Sequence, residues 1–268
     1  MPYTKTLVAD AVVQRLIETQ GIYSYMNRSF DAIVRQGASS VDIPKLAIPV
    51  VKTAGTPLVN ADRKKSKGDT NNVNVPLTAY AVPLAEEVVS QYETNGTLIK
   101  EYINSAALAL QEKFDSLVIT EAQTTTDVSP FAGATMAWAD IIDITKKLDA
   151  NKTPKAGRVI VISAALAAEF FAIDVVKGSV QYNPNYLESG TFINFMGMKF
   201  FISGLVPQVS GKDAMVGISG QGLAFILSRM GEIKEAYDTT NLQSVYDVLA
   251  YAGCKLLDDK FAVVKRKP

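Results

Sequence analysis

From Leu98 to Glu121 apolar residues recur every three or four positions. Ile99, Ile103, Ala106, Leu110, Phe114 and Leu117 form the stripe, Leu98, Tyr102, Ala107 and Val118 widen it, and Lys100, Glu101, Gln111, Glu112 and Lys113 take the other face. This period predicts an amphipathic helix over 97–122, opened by Asn95-Gly96-Thr97 and stopped by the polar run from Thr124 to Pro130. At 1.5 Å per residue such a helix is roughly 39 Å long. Before it the texture is different. Val41 and Ile43, then Val73, Val75, Leu77 and Ala79, alternate with polar positions at a period of two, as strands do. Pro44, Pro49, Pro57, Pro76 and Pro83 fall in the same stretch. Proline has no N–H for a ladder, so these strands belong at an edge or away from any central sheet. The polar run Asn60 to Asn72 between them cannot bury itself, which predicts a long β-hairpin with a solvated tip.

Elsewhere the pattern is shorter in range. Leu7, Val8, Ala11, Val12, Leu16 and Thr19 have helical spacing, Gly21 breaks it, and Tyr23 to Val34 resume it, giving an amphipathic N-terminal arm. A second helix is expected over 137–150, a buried strand over Arg158 to Ile162, and a helix from Ala164 to Ile173 with Ser163 as its N-cap. Gly178 to Gly190 reads as a loop, and Phe192 to Ile202 as a hairpin turning near Gly197. Short strands are expected at 214–218 and 223–227, then at 244–257 and 261–264. The fold class is mixed α+β, with no βαβ alternation pointing to a doubly wound sheet.

Composition narrows the chemistry. The 268 residues include no histidine and one cysteine, Cys254. That removes Ser-His-Asp and Cys-His catalysis, histidine-ligated zinc and an intrachain disulfide. Lys plus Arg and Asp plus Glu are 27 each, so net charge advertises neither a nucleic-acid nor a membrane surface. The opening Met-Pro-Tyr-Thr-Lys-Thr lacks a signal-peptide pattern, and the apolar run 159–176 is interrupted by Ser163, Glu169 and Asp174, so a soluble protein is expected.

Candidate motifs are few. Gly204 to Gly211-Lys212 has the wrong spacing for a phosphate loop, with Asp213 where Ser or Thr would hold magnesium, and Gly217-Ile-Ser-Gly-Gln-Gly222 lacks dinucleotide spacing; both read as turns. Glu86-Glu87 and Asp258-Asp259 are carboxylate pairs, but neighbours in extended chain point to opposite sides. Asp140 and Asp143 share a helical face near its start, where they read as solvated or capping groups. Cys254 reads as a packed strand residue and Trp138 as a helix anchor. Arg63, Lys64, Lys65 and Lys67 form the single basic cluster, flanked by Asp62 and Asp69 on the hairpin tip. Such a tip suits an oppositely charged patch on another chain better than nucleic acid. Arm and hairpin lack a core of their own, which implies partner subunits.

In order, these elements resemble the major capsid proteins of tailed bacteriophages, the Hong Kong 97-like capsid fold also used by encapsulins. The likeness rests on Val8 to Ile17 with Tyr25 to Phe30, on Gly37 to Pro44, on the helix 97–122, on Phe195 to Ser203 and on Ala250 to Leu257. Its most specific stretch is Lys147 to Ser163, a helix, an Asn/Pro/Gly turn and an Arg-led apolar strand. The resemblance implies an N-terminal arm (1–37), an extended loop (38–84), a peripheral domain with a long spine helix (85–128 and 222–268) and an axial domain (129–221). It implies a coat subunit forming the pentamers and hexamers of an icosahedral virion that encloses double-stranded DNA without sequence-specific binding. It further implies assembly in the host cytoplasm, separate scaffolding and portal proteins, no cofactor, no metal, no membrane and no catalytic residue. Arg63, Lys64, Lys65 and Lys67 would then be inter-subunit contacts. An encapsulin-type compartment shell is the near alternative, and an α+β enzyme using a carboxylate pair the alternative of another class.

Overall fold

The structure, a computed structural model, describes residues 21–34, 38–44, 72–87, 97–177, 193–195, 197–238 and 243–268. Eleven strands and three α-helices are named here in chain order. The strands are β1 (Ser40–Pro44), β2 (Asn72–Pro76), β3 (Thr78–Glu87), β4 (Val128–Pro130), β5 (Arg158–Ser163), β6 (Ile193–Phe195), β7 (Met198–Ser203), β8 (Ala214–Ser219), β9 (Leu223–Asp238), β10 (Gln243–Leu256) and β11 (Ala262–Arg266). The helices are α1 (Thr97–Ala122), α2 (Trp138–Ala150) and α3 (Ala167–Ala172).

The strands form three sheets. β1 and β2 pair antiparallel, with Val41 opposite Val75 and Ile43 opposite Val73. A three-stranded sheet has the order β3-β10-β9, and a six-stranded sheet the order β4-β11-β8-β5-β7-β6. Pro83 sits in β3, at an edge of its sheet, as a residue without a ladder donor must.

The six-stranded sheet is the centre of the molecule because both its faces are covered. All six residues of β5 are buried. Its alternate residues serve different cores: Val159 and Val161 join Leu110, Phe114 and Val118 of α1, whereas Ile160 and Ile162 join Ile141, Ile144 and Leu148 of α2 and Phe170 of α3. A continuous apolar run is what a strand covered on both faces requires. Gly217 in β8 faces α2, and a Cβ there would collide with Ile144 Cγ2. The glycine therefore brings helix and sheet together from within the strand expected over 214–218, and the expected turn follows at Gly220–Gly222.

Other differences have equally local causes. The segment after Gly21 forms two short 3-10 turns, Ile22–Tyr25 and Asp31–Ile33, instead of resuming a helix. Its backbone is committed elsewhere: the Asn27 N–H donates to Leu223 O at 3.1 Å and the Phe225 N–H donates to Asn27 O at 3.0 Å. Ser163 makes no side-chain cap, and the run it was expected to cap opens as a 3-10 turn before α3. β5 and β7 pair parallel, with α3 in the intervening chain, so one crossover exists where no such alternation was expected. β9 extends to Asp238, well beyond the short strand its opening residues suggested.

The hairpin ladder between β1 and β2 ends at Pro76, and from Thr78 onward β3 pairs with β10 in the three-stranded sheet. β11 pairs with β8 and β4, so the stretch 222–268 divides between the two larger sheets. The helices expected over 97–122 and 137–150 and the hairpin at Gly197, whose φ is +74°, are in place. The arm helix at 7–19, the loop 178–190 and the hairpin tip lie outside the described residues.

Candidate functional site

The residues singled out as carboxylate pairs do not converge. Asp258 accepts the Lys260 N–H and pairs with its ammonium at 3.2 Å, while Asp259 Oδ2 accepts the Thr126 hydroxyl at 3.0 Å. The side chains of Glu86 and Glu87 lie outside the described set. No group of three or more acidic or sulfur ligands suited to a metal occurs among the described residues. Arg63, Lys64, Lys65 and Lys67, the expected contact residues, also lie outside them.

The described molecule does hold two clusters of charge. Asp140, expected to be solvated or capping, caps but is wholly buried. It stands in the first turn of α2, where Oδ2 accepts the Ala137 N–H at 3.0 Å and Oδ1 accepts the Ala132 N–H at 3.0 Å. Lys265 reaches it from β11 at 3.1 Å and reaches Asp143, one turn on, at 2.9 Å. The period of two explains the meeting: Ala262 and Val264 face the α1 core and Val263 the α2 core, so Lys265 must face α2. The hydrogen bond from Lys265 holds the Asp143 carboxyl below its usual range. Nearby, Lys267 pairs with Glu169 at 2.6 Å, and the other Glu169 oxygen accepts the Met136 N–H at 2.7 Å. Together these tie the C-terminal strand to α2 and α3.

The second cluster lies where the chain enters the described body. Tyr23 stacks edge-on against Phe114, with ring centroids 5.5 Å apart, and leans on Phe225 at 5.4 Å. Beside it Asp115 of α1 accepts the Tyr23 N–H at 2.9 Å. Burial pushes the Asp115 carboxyl up to about 6, against the opposing hydrogen bonds from Tyr23 and Ile22. Residues 25–29, with Ala156, Gly157, Gly220 and Gln221, line an open groove of ≈ 520 Å³ on the neighbouring surface.

The base of the extended hairpin buries its apolar face within its own subunit. Val41, Ile43 and Val75 pack on Ala224 and Ile226 of β9, and the exposed positions are Ser40, Asp42, Asn72 and Asn74 with Pro44 and Pro76 at the strand ends. The inference that the hairpin as a whole needs a partner therefore does not apply to its base. Exposed apolar side chains are found instead at Leu108 of α1, Ile142 of α2, and Phe171 and Val175 at and beyond α3.

This geometry is shared with solved shell proteins, phage capsids and encapsulins among them. A chain from Mycobacterium phage Che8 matches with a TM-score of 0.65 over 92% of this chain and 91% of that one, at 18% identity. The fold is the Hong Kong 97-like coat fold. The virus-like particle from Pyrococcus furiosus matches with a TM-score of 0.63 over 96% and 97% of the two chains, at 11% identity. An encapsulin complex from Synechococcus elongatus matches at 0.57 over 87% and 83%, at 14% identity. No family model and no curated protein sequence matches the chain. Shape survives here where sequence does not, because a buried position needs an apolar residue of about the right size and not a particular one.

Beyond the described fold, no helix among the described residues is long and apolar enough to cross a membrane. Cys254 is a half-buried strand residue packed on the α1 core, where burial pushes its thiol up. Trp138 packs against the α2 core from a half-buried position.

Proposed function

We propose that this chain is a major coat protein, self-assembling into the pentamers and hexamers of an icosahedral phage head that encloses double-stranded DNA. The observation that carries this reading is the end-to-end match to chains of solved shells, 96% of this chain on 97% of the virus-like particle's chain and 87% on 85% of a cyanophage capsid's. An end-to-end match means that the elements of the partner fold are shared in order, including the parts that have no catalytic use. The carboxylates of Asp115, Asp140, Asp143, Asp149 and Glu169 support it as well. They are engaged by lysines, by an arginine or by backbone amides, which builds a scaffold and not an acid–base pair.

On this reading the tip residues Arg63, Lys64, Lys65 and Lys67 meet a neighbouring subunit. The protein resides in the virion, assembles in the host cytoplasm, and takes a scaffolding and a portal protein as separate partners. A compartment shell with protein cargo is the second reading, favoured by the encapsulin match. Negative-stain microscopy of purified protein tests the proposal: closed shells, capsomers or tubes are expected. A stable monomer at high concentration, with scaffold or phage proteins supplied, overturns it. Particles isolated from cells that carry the neighbouring genes separate the two readings: DNA packaged after assembly selects the head, and one co-encoded enzyme inside selects the compartment.

A further inference from the structure

Asp115 is 7% exposed, yet no cation pairs with it among the described residues. Its partners are the backbone N–H groups of Tyr23 and Ile22, which repay only part of the cost of taking a carboxylate out of water. Around it, Phe114 and Phe225 are apolar and fully buried, and the facing titratable group is the Tyr23 phenol, itself pushed up by burial and by Asp115. On its own helix Lys113 stands over the Tyr80 ring at 5.4 Å and Glu112 is exposed. From the entering segment, Arg28 is held by Asp31 at 2.8 Å. Gly21 completes the contact, since a Cβ there would stand 2.8 Å from Asp115 Oδ1. The expected N-terminal arm covers 1–37, and its residues 21–34 are the segment docked here, so this carboxyl sits at the arm's root.

We propose that Asp115 and the amides of Ile22 and Tyr23 form a protonation-gated clasp on the root of the N-terminal arm. The neutral acid holds the segment down, and ionisation loosens it. With the segment lifted, Asp115 meets water and returns to the ordinary carboxyl value of 3.8, while the docked value is about 6. Docking therefore takes up a proton between those values. It is strongest below about 4, weakens as pH rises, and levels off above the docked value. The full change is roughly 100-fold in the docking equilibrium. The clasp stands on the subunit's own geometry and does not depend on whether the subunit builds shells.

Hydrogen exchange of the full chain, read by mass spectrometry on peptides covering 21–34 and corrected for intrinsic exchange rates, tests it. In the wild type, corrected protection of this segment should fall by tens of fold between pH 4.5 and 7.5 while staying below that of peptides from β5 and β8 throughout. Asp115→Asn, neutral at every pH, should hold the segment at the acid level throughout. Gly21→Ala, which crowds the carboxyl, should lower protection at every pH. A flat wild-type profile overturns the clasp, and so does an Asp115→Asn chain that still shows the wild-type pH dependence. The wild-type profile alone decides the question if either variant fails to fold.

Discussion

Lys265 of β11 and Asp140 of α2 meet at 3.1 Å with side chains 6% and 0% exposed. The pair joins a strand near the C-terminus to the first turn of a helix that begins far earlier in the chain, and it fixes which face of β11 looks toward α2.

Removing one member should be far worse than removing both. Lys265→Met leaves the Asp140 charge buried without its cation, a change that costs ~3–5 kcal/mol. In urea the midpoint should fall with the slope unchanged. Lys265→Met combined with Asp140→Asn should be more stable than Lys265→Met alone, because no charge is then stranded. Equal midpoints for the single and double variants would show that charge is not what holds this junction.

Stability should have two opposed limbs in pH. Asp143 is held below the ordinary carboxyl range first by its hydrogen bond from Lys265, and Glu169 first by its hydrogen bond from Lys267 and then by that from the Met136 amide. Carboxyls held low contribute stability above their unfolded values, and that stability is lost as pH falls through the acid range. Asp115 acts in the other direction. Raised from 3.8 to about 6, it binds more protons in the folded state, so its contribution is complete in acid and declines as pH rises between those values. The decline amounts to roughly 3 kcal/mol at most. The thermal midpoint should therefore rise from pH 7 to pH 5 and drop below pH 4. Asp115→Asn should flatten the upper limb and leave the acid drop intact.

The faces of α1 can be told apart by one substitution moved by two residues. Leu110 is 1% exposed and Leu108 is 50% exposed. Leu110→Asp buries an unpaired charge, worth several kcal/mol against a domain whose whole stability is of order 10. It should abolish soluble, folded protein by circular dichroism. Leu108→Asp should fold with a midpoint close to wild type. Equal behaviour of the two would mean that the helix face is wrongly placed.

The long elements were legible because their periods run for many residues. The spine helix is found at Thr97–Ala122, where the apolar stripe put it. β1 and β2 pair antiparallel as the two strands of the expected hairpin, with Val41 opposite Val75 and Ile43 opposite Val73. What stayed hidden was set by contacts distant in sequence. Nothing in the helical pattern singles out Asp115, and only the amides of Ile22 and Tyr23, some ninety positions away, make it special. A surface pair on one helix is all that Asp140 and Asp143 suggest locally, because the lysine between them comes from β11. The 3-10 turns after Gly21 arise the same way, as the backbone around Asn27 is drawn to β9.

The hairpin tip should matter for assembly and not for folding. Changing Arg63, Lys64, Lys65 and Lys67 to Glu reverses the charge of the basic cluster. The midpoint of the unassembled subunit should barely move, whereas assembly yield should fall, and fall further at low salt where screening is weak. Unchanged yield across salt concentrations would show that the tip is not an interface.

Shells of this protein should form without nucleic acid. A coat that condenses on its genome needs a basic inner surface or arm, because counterions released from phosphate drive that process. In the first 35 residues Lys5, Arg15, Arg28 and Arg35 stand against Asp10, Glu18 and Asp31, leaving a charge of +1. One of those cations, Arg28, is already engaged by Asp31 at 2.8 Å. Over the whole chain the 27 basic and 27 acidic residues cancel. Such an arm neutralises little DNA, so filling should follow assembly. Assembling nuclease-treated protein and measuring absorbance ratio and particle density should give empty particles whose yield changes little with moderate salt. Particles that appear only when DNA or RNA is added, and vanish steeply as salt rises, would make this a nucleic-acid-templated coat and overturn the empty-shell order of events.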